Sequence, residues 1–344
     1  MNKIIESHKN KYPLMQVDDY IKLLFQNEFG PEHLVTNKDK VVEYIKSELD
    51  NDSESEHYYI ESIGNSLCRF HFNKLNNNEI DVLADLFIKT SECHKGNKDI
   101  FINKLNGLED LNKDWKEKIN KYINEGINPI HHSNLFRNTY KPHYRVIKYE
   151  YGVYFELICK INELIKNNNQ LIIAIDGRCG SGKSRLAELL ESIYDCNLIH
   201  IDDYFIPMNE RVDNWKDKIA GNINFDRLEN EVLRNLKTND SYIEIKYNCQ
   251  KNEYSENLKV HNKKLTIIEG SYSLHDTIDH YYDYKVFLTC DSNTQKERII
   301  ERNKEYYAMF ESTWIPMEEK YFKEMSIINK ADILIDNSDM FKDM

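Results

Sequence analysis

The chain has 344 residues, with 58 acidic against 46 basic side chains and a formal net charge of −12. Such a length suggests about two domains, and neither half is a basic nucleic-acid platform, because phosphate-backbone binding needs clustered Lys and Arg. No apolar run approaches the ~18 residues of a membrane span, the start MNKIIESHKNKYPL lacks an apolar h-region, and seven cysteines without CxxC pairs argue against a disulfide scaffold or a zinc ribbon. The expectation is a cytoplasmic protein with reduced thiols and neither nucleic acid nor membrane as a partner.

The first 148 residues read as a mostly helical domain. Val17, Tyr20, Ile21, Leu24 and Phe25 share one face at helical spacing. Ile80, Leu83, Ala84, Phe87 and Ile88 repeat it, and a third helix through Trp115, Ile119 and Tyr122 stops near Gly126, a C-cap residue type. NDSESE (51–56) reads as an exposed loop. INPIHHSNLFRNTYKPHYRV (127–146) has two prolines and no clear period, and reads as an extended connector. QNEFGPEHL (26–34) and IESIGNSLCRFHF (60–72) set polar residues among apolar ones, as around a pocket. Eight of the twelve histidines precede residue 144, His131, His132 and His143 among them. No metal-ligand spacing appears, so hydrogen-bonded structural roles are expected for them.

From residue 149 the pattern changes. A helix through Val153, Leu157, Ile161, Leu164 and Ile165 packs onto the second domain in this reading. LIIAID (171–176) is a buried-type strand. Then follow a helix, NLIHI (197–201), the helix 225–236, YIEIKY (242–247), LTIIE (265–269), YKVFLTC (284–290), a charged helix near 293–303 and ADILID (332–336). Short apolar strands alternating with helices predict a parallel sheet covered on both faces. The domains are therefore 1–148 and 149–344.

GRCGSGKS (177–184) fits GxxxxGK[ST] between a strand and a helix. The glycines let backbone N–H groups converge, and the nest plus the helix N-terminus favour a polyphosphate. The nucleotide-binding set is Gly177, Gly180, Ser181, Gly182, Lys183, Ser184 and Arg185. Lys183 would reach the β- and γ-phosphates of ATP and Ser184 would ligate Mg²⁺. The GTPase signature DxxG does not follow, and NKAD (329–332) precedes a strand instead of following one, so it reads as a helix end. Ligands of an open parallel sheet sit beyond its C-terminal strand ends. Asp202-Asp203 follow one strand and Glu269 ends another. A kinase acting on a hydroxyl needs a proton acceptor and carboxylate near the metal, which suits Asp202 and Glu269 respectively. Cys179, among loop amides and beside Lys183, is expected to favour its thiolate.

DGRCGSGKS, IDDYFIP, NFDRL, IIEGSYSLHDTIDHYYD, KVFL and RIIERN, in that order over about 165–340, resemble the uridine kinase and phosphoribulokinase-like branch of the P-loop kinases. The resemblance implies an α/β P-loop kinase domain with a five-stranded parallel sheet, behind the helical N-terminal domain. It implies Asp202 as the catalytic base, Glu269 near Mg²⁺ and the acceptor hydroxyl, and Arg298 and Arg302 as lid arginines on the phosphates of ATP. Asp226, in NFDRLENEV, keeps only the first half of the acceptor motif; it reads as a sugar-hydroxyl partner or a helix N-cap. Tyr204 and Tyr247 are the candidate stacking residues for a nucleoside base. The base-recognition segment reads Tyr247-Asn248-Cys249-Gln250, unlike the Tyr-Asp ending of the family.

The function implied is an ATP- and Mg²⁺-dependent kinase for a small-molecule hydroxyl, with a nucleoside as first choice. Another sugar, a sugar phosphate or a vitamin-type alcohol is the alternative acceptor, and a nucleotide-gated binding protein is the alternative class. The N-terminal domain also resembles segments fused ahead of uridine kinase-like domains, which implies no activity; regulator binding, shaping of the acceptor pocket and a homo-oligomer contact all stay open.

Overall fold

The computed structural model describes residues 2–31, 37–49, 57–109, 112–249 and 251–340. Two compact units divide between Glu163 and Leu164. The loop expected at 51–56 and the end of the 26–34 segment lie outside the described residues.

In the first unit, helices Val17–Phe29 and Asn77–Cys93 form where the apolar periodicity puts them. Asn76 starts the second with a capping box: its side chain accepts from the Asn78 and Glu79 amides, and Glu79 accepts from the Asn76 amide at 2.7 Å. The helix through Ile119 runs Lys116–Asn124 and is followed by Gly126 at φ +83°. The unit also holds a three-stranded antiparallel sheet, in the order β1 (Tyr58–Gly64), β2 (Leu67–Phe72), β3 (Tyr144–Lys148). The 60–72 segment is thus a hairpin, turned at Gly64, Asn65 and Ser66, all at positive φ. The 127–146 segment is more ordered than a connector. Ser133 accepts from the Phe136 amide and opens helix Asn134–Tyr140, and β3 then pairs with β2. The helix Phe155–Asn167 begins on this unit, not on the second domain: Phe155 packs against Phe70 at 4.5 Å and Tyr58 at 5.2 Å between ring centroids.

His132 is a hydrogen-bonded structural group. Its Nδ1 lies 2.8 Å from Asp19 Oδ1 and its Nε2 2.7 Å from the Tyr144 hydroxyl. Arg69, fully buried, donates to Gln26 Oε1 through Nε and Nη2, so Gln26 and Arg69, one from each segment, satisfy each other inside the unit.

The second unit is built on a parallel sheet of five strands: β4 (Leu171–Gly177), β5 (Cys196–His200), β10 (Leu265–Glu269), β11 (Tyr284–Thr289) and β12 (Ile333–Asp336), ordered β12-β11-β4-β10-β5. The central strands β4 and β10 are buried at every residue, as a sheet covered on both faces requires. YIEIKY does not join them. It splits into β6 (Ser241–Glu244) and β7 (Tyr247–Asn248), which pair antiparallel with β9 (Leu258–His261) and β8 (Glu253–Tyr254). The reason is its alternation: Tyr242 and Glu244 are buried while Ile243 is exposed, which suits a one-sided ribbon. The helix 225–236 contains a π turn at Glu229–Leu233.

Candidate active site

β4 delivers Gly177 to a point that no side chain could occupy. Its φ is +144°, and a Cβ there would lie 2.0 Å from the Leu288 carbonyl oxygen of β11. The chain then turns through Gly180 and Gly182 into helix Lys183–Ile193, which buries Leu186, Ala187, Leu189 and Leu190. That apolar face fixes the helix with its N-terminus at the turn, where the first-turn amides lack intrahelical acceptors. Lys183 Nζ donates to the carbonyls of Gly177 (2.8 Å) and Arg178 (3.1 Å), so the cation already stands against the loop. Ser181 is buried and its carbonyl accepts from Asn337 Nδ2 at 2.8 Å; Arg185 is exposed.

The carboxylates meet beside this loop because of strand register. Glu269 ends β10 opposite His200, the last residue of β5. His200 Nδ1 lies 2.5 Å from Glu269 Oε1, and Ser184 Oγ donates to the same carboxylate at 3.2 and 3.3 Å. The hydrogen bond to Glu269 holds the His200 pKa above its ordinary value. Asp202 follows in the short turn Ile201–Tyr204. Among the described residues its carboxylate has no hydrogen-bond or ion-pair partner. The side chain keeps an open face to solvent, but protein crowds its other sides. Desolvation first, then the Glu269 charge, push it up to about 6 against the pull of Lys183. Asp203 is differently placed: it pairs with Lys246 Nζ at 3.1 Å.

The loop is gripped from helix Ile315–Glu324. Glu319 accepts from Arg178 at 2.6 Å, Glu318 from the Cys179 amide at 2.9 Å, and Tyr321 donates to Asp176 at 2.7 Å. Glu318 also accepts from Ser271 Oγ at 2.5 Å, tying the loop to the end of β10. This arrangement corrects the expectation for Cys179. Burial and the neighbouring Glu318 carboxylate raise the thiol far above its ordinary pKa, outweighing Lys183. Arg298 lies on the loop itself, donating to the carbonyls of Gly180 (3.2 Å) and Asn337 (2.7 Å); Arg302, one turn on, is exposed.

The acceptor-side residues scatter. Asp226 is exposed in the first turn of Phe225–Leu228, but the cap is Asn224, which accepts from the Arg227 amide at 3.0 Å. Tyr204 is fully buried, with the Arg227 guanidinium 5.1 Å from its ring centroid, so it offers no face for a base to stack on. Tyr247 is buried too, donating to Asn252 at 2.6 Å and packed on Tyr254. Both stacking assignments therefore fail on burial. Gln250 lies outside the described residues. Sequence reasoning missed His200, Lys246, Arg178, Glu318 and Glu319. The carboxylate pair at 318–319 on a helix was visible, but its target was not.

Residues 172–307 match the model of the phosphoribulokinase / uridine kinase family. Over that span the chain resembles the family, and the second unit has a parallel α/β sheet with a phosphate loop. Among solved structures, the chain is similar to a possible uridine kinase from Bacillus stearothermophilus, with 22% identity over 53% of this chain and 100% of that one and a TM-score of 0.40. It is also similar to TT1252 from Thermus thermophilus, with 16% identity over 51% and 93% and a TM-score of 0.28. No curated protein matches the chain.

Proposed function

We propose that the second unit is a P-loop kinase domain that transfers the γ-phosphoryl group of ATP to a hydroxyl of a small molecule, with Mg²⁺ as cofactor and in the cytoplasm. The observation that carries the reading is an unpartnered Asp202 carboxylate at a strand end next to the one whose Glu269 hydrogen-bonds the phosphate-loop Ser184. A nucleotide sensor has no use for a free proton acceptor at that point. A carboxylate raised to about 6 is ionised at pH 7 yet basic enough to take a proton in the transition state.

The acceptor oxygen forms a bond to the γ-phosphorus while the bond from that phosphorus to the β,γ-bridging oxygen breaks. The hydroxyl proton passes to a carboxylate oxygen of Asp202, and ADP leaves with the electron pair. Lys183, now on two loop carbonyls, exchanges them for phosphate oxygens. The loop amides hold the β-phosphate, and Arg298 keeps the loop backbone in place. Ser184 Oγ and Glu269 are hard oxygen donors 3.2 Å apart and suit Mg²⁺; bound there, the ion would neutralise charge on the phosphate oxygens.

A nucleoside acceptor, the first choice from resemblance, has lost its base platform with the burial of Tyr204 and Tyr247. The test is transfer of labelled γ-phosphate from ATP to nucleosides, sugars, sugar phosphates and vitamin-type alcohols. Transfer to one class, dependent on Lys183, supports the reading. Tight ATP binding with no transfer to any alcohol would favour a nucleotide-gated binding protein instead.

A further inference from the structure

One imidazole reaches the Glu269 carboxylate from the neighbouring strand. His200 is the last residue of β5, and its partner across the sheet is Glu269, the last residue of β10. Cross-strand partners point to the same face of a sheet, so the register alone sets the two side chains side by side. The strand ends have no room to drift. Gly270 lies at φ +140°, and a Cβ there would stand 2.8 Å from Ile201 Cβ. The chain leaving β10 is thus in direct contact with the residue after His200.

Glu269 is 5% exposed, and a buried carboxylate needs hydrogen-bond donors. Among the described residues it has two, Ser184 and His200, and no Lys or Arg within ion-pair distance. Ser184 Oγ lies 3.2 Å from Oε1 and 3.3 Å from Oε2, long for a hydroxyl donor and split between the two oxygens. His200 Nδ1 lies 2.5 Å from Oε1 alone. A carboxylate only accepts, so Nδ1 carries the proton, and the bond is charge-assisted. The imidazole therefore sets how the carboxylate is turned. It occupies Oε1 and leaves Oε2, whose one partner is the long contact to Ser184, open to a cation. The nearby lysines do not supply this hold: Lys183 rests on the Gly177 and Arg178 carbonyls, and Lys246 on Asp203 and Glu244.

We propose that His200 is a positioning residue for the metal: its Nδ1–H holds the Glu269 carboxylate turned towards Ser184, so that the pair receives Mg²⁺. The proposal rests on the reading of Ser184 and Glu269 as the Mg²⁺ side of the site. His200 acts through Glu269 and needs no contact with nucleotide or acceptor. Hydrogen-bond partners of metal-ligating groups contribute roughly 10- to 100-fold to metal affinity.

The experiment compares the Kd of the β,γ-imido analogue of ATP in excess Mg²⁺ and in EDTA, by calorimetry on the full chain. In the unchanged chain we expect Mg²⁺ to tighten binding about tenfold or more. His200→Leu keeps the bulk of the side chain and removes the donor. Its Kd in EDTA should stay within about twofold, while the gain from Mg²⁺ falls about tenfold. His200→Asn is the rescue, because its amide nitrogen stands as many bonds from the backbone as Nδ1 and donates in the same place. It should keep the Mg²⁺ gain within about threefold of the unchanged chain. A full Mg²⁺ gain in His200→Leu overturns the proposal. So does an equal loss in Mg²⁺ and in EDTA, which marks damage to the phosphate loop. Failure of His200→Asn to restore what His200→Leu loses overturns it too, and leaves His200 a packing role. No Mg²⁺ gain in the unchanged chain defeats the reading of Ser184 and Glu269 itself, and the proposal with it, so the two failures are told apart.

Discussion

Replacing Tyr321 by Phe should destabilise the second unit in a strongly pH-dependent way. Asp176 and Tyr321 are both fully buried. The carboxylate accepts from the amides of Gly177 (2.7 Å) and Leu274 (2.9 Å) and from the Tyr321 hydroxyl (2.7 Å). Burial pushes Asp176 up to about 6, against the pull of the Leu274 amide, the Tyr321 hydroxyl, Lys183 and the Gly177 amide. A folded-state pKa above the unfolded one means that the native state holds the proton more tightly. Stability therefore falls as pH rises from the unfolded value, near 4, to the folded one, near 6, and is level above. Removing the tyrosine donor withdraws support from the ionised form, which raises the folded pKa further and extends the fall to higher pH. A hydrogen bond to a charged group is worth about 1.5–3 kcal/mol. The variant should lose that much at pH 8, and less at pH 5, where the carboxyl is protonated in both proteins. Urea titrations at the two pH values, followed through the fluorescence of Trp215 and Trp314, measure the difference. An equal loss at pH 5 and pH 8 would refute the coupling between Tyr321 and the Asp176 charge.

Three further outcomes are expected. Cys179 should react with iodoacetamide at pH 7 at least tenfold more slowly than Cys93 or Cys249, since thiolate is the nucleophile and burial and Glu318 oppose it; peptide mapping checks this, and rapid labelling at Cys179 would contradict it. Arg298→Ala should loosen the phosphate loop at Gly180, raising the Kd for ATP about 10- to 100-fold by calorimetry while the thermal midpoint changes little. Plotted against pH, kcat for the true acceptor should rise through an inflection near 6, where Asp202 loses its proton; no acid limb between pH 5 and 7 would count against Asp202.

The phosphate loop and the sheet were legible because their residues have few alternatives. β4 and β10 are apolar runs buried on both faces, and the glycine at 177 is demanded by a backbone oxygen 2.0 Å from where a Cβ would stand. The strand-end acids were legible too, since parallel order alone brings Glu269 beside His200. What escaped depended on contacts remote in sequence. Cys179 looked activated from its neighbours in the loop, but Glu318, 139 residues away, reverses its environment. Tyr204 looked available because it follows the base by two positions; the turn that exposes Asp202 sends Tyr204 into the core. The 60–72 hairpin carried its signal in Gly64-Asn65-Ser66, residues suited to positive φ, and the alternation in YIEIKY marked a one-sided ribbon.

The most direct measurement of the central claim is single-turnover phosphoryl transfer by Asp202→Asn beside the unchanged chain, with ATP affinity determined in parallel. The substitution keeps the shape of the side chain and removes only the proton acceptor. The account predicts a kcat lower by about 10²–10⁴ with ATP binding unchanged within a few fold. Near-normal turnover of the acceptor by Asp202→Asn would contradict it and pass the proton to Asp203 or Glu269.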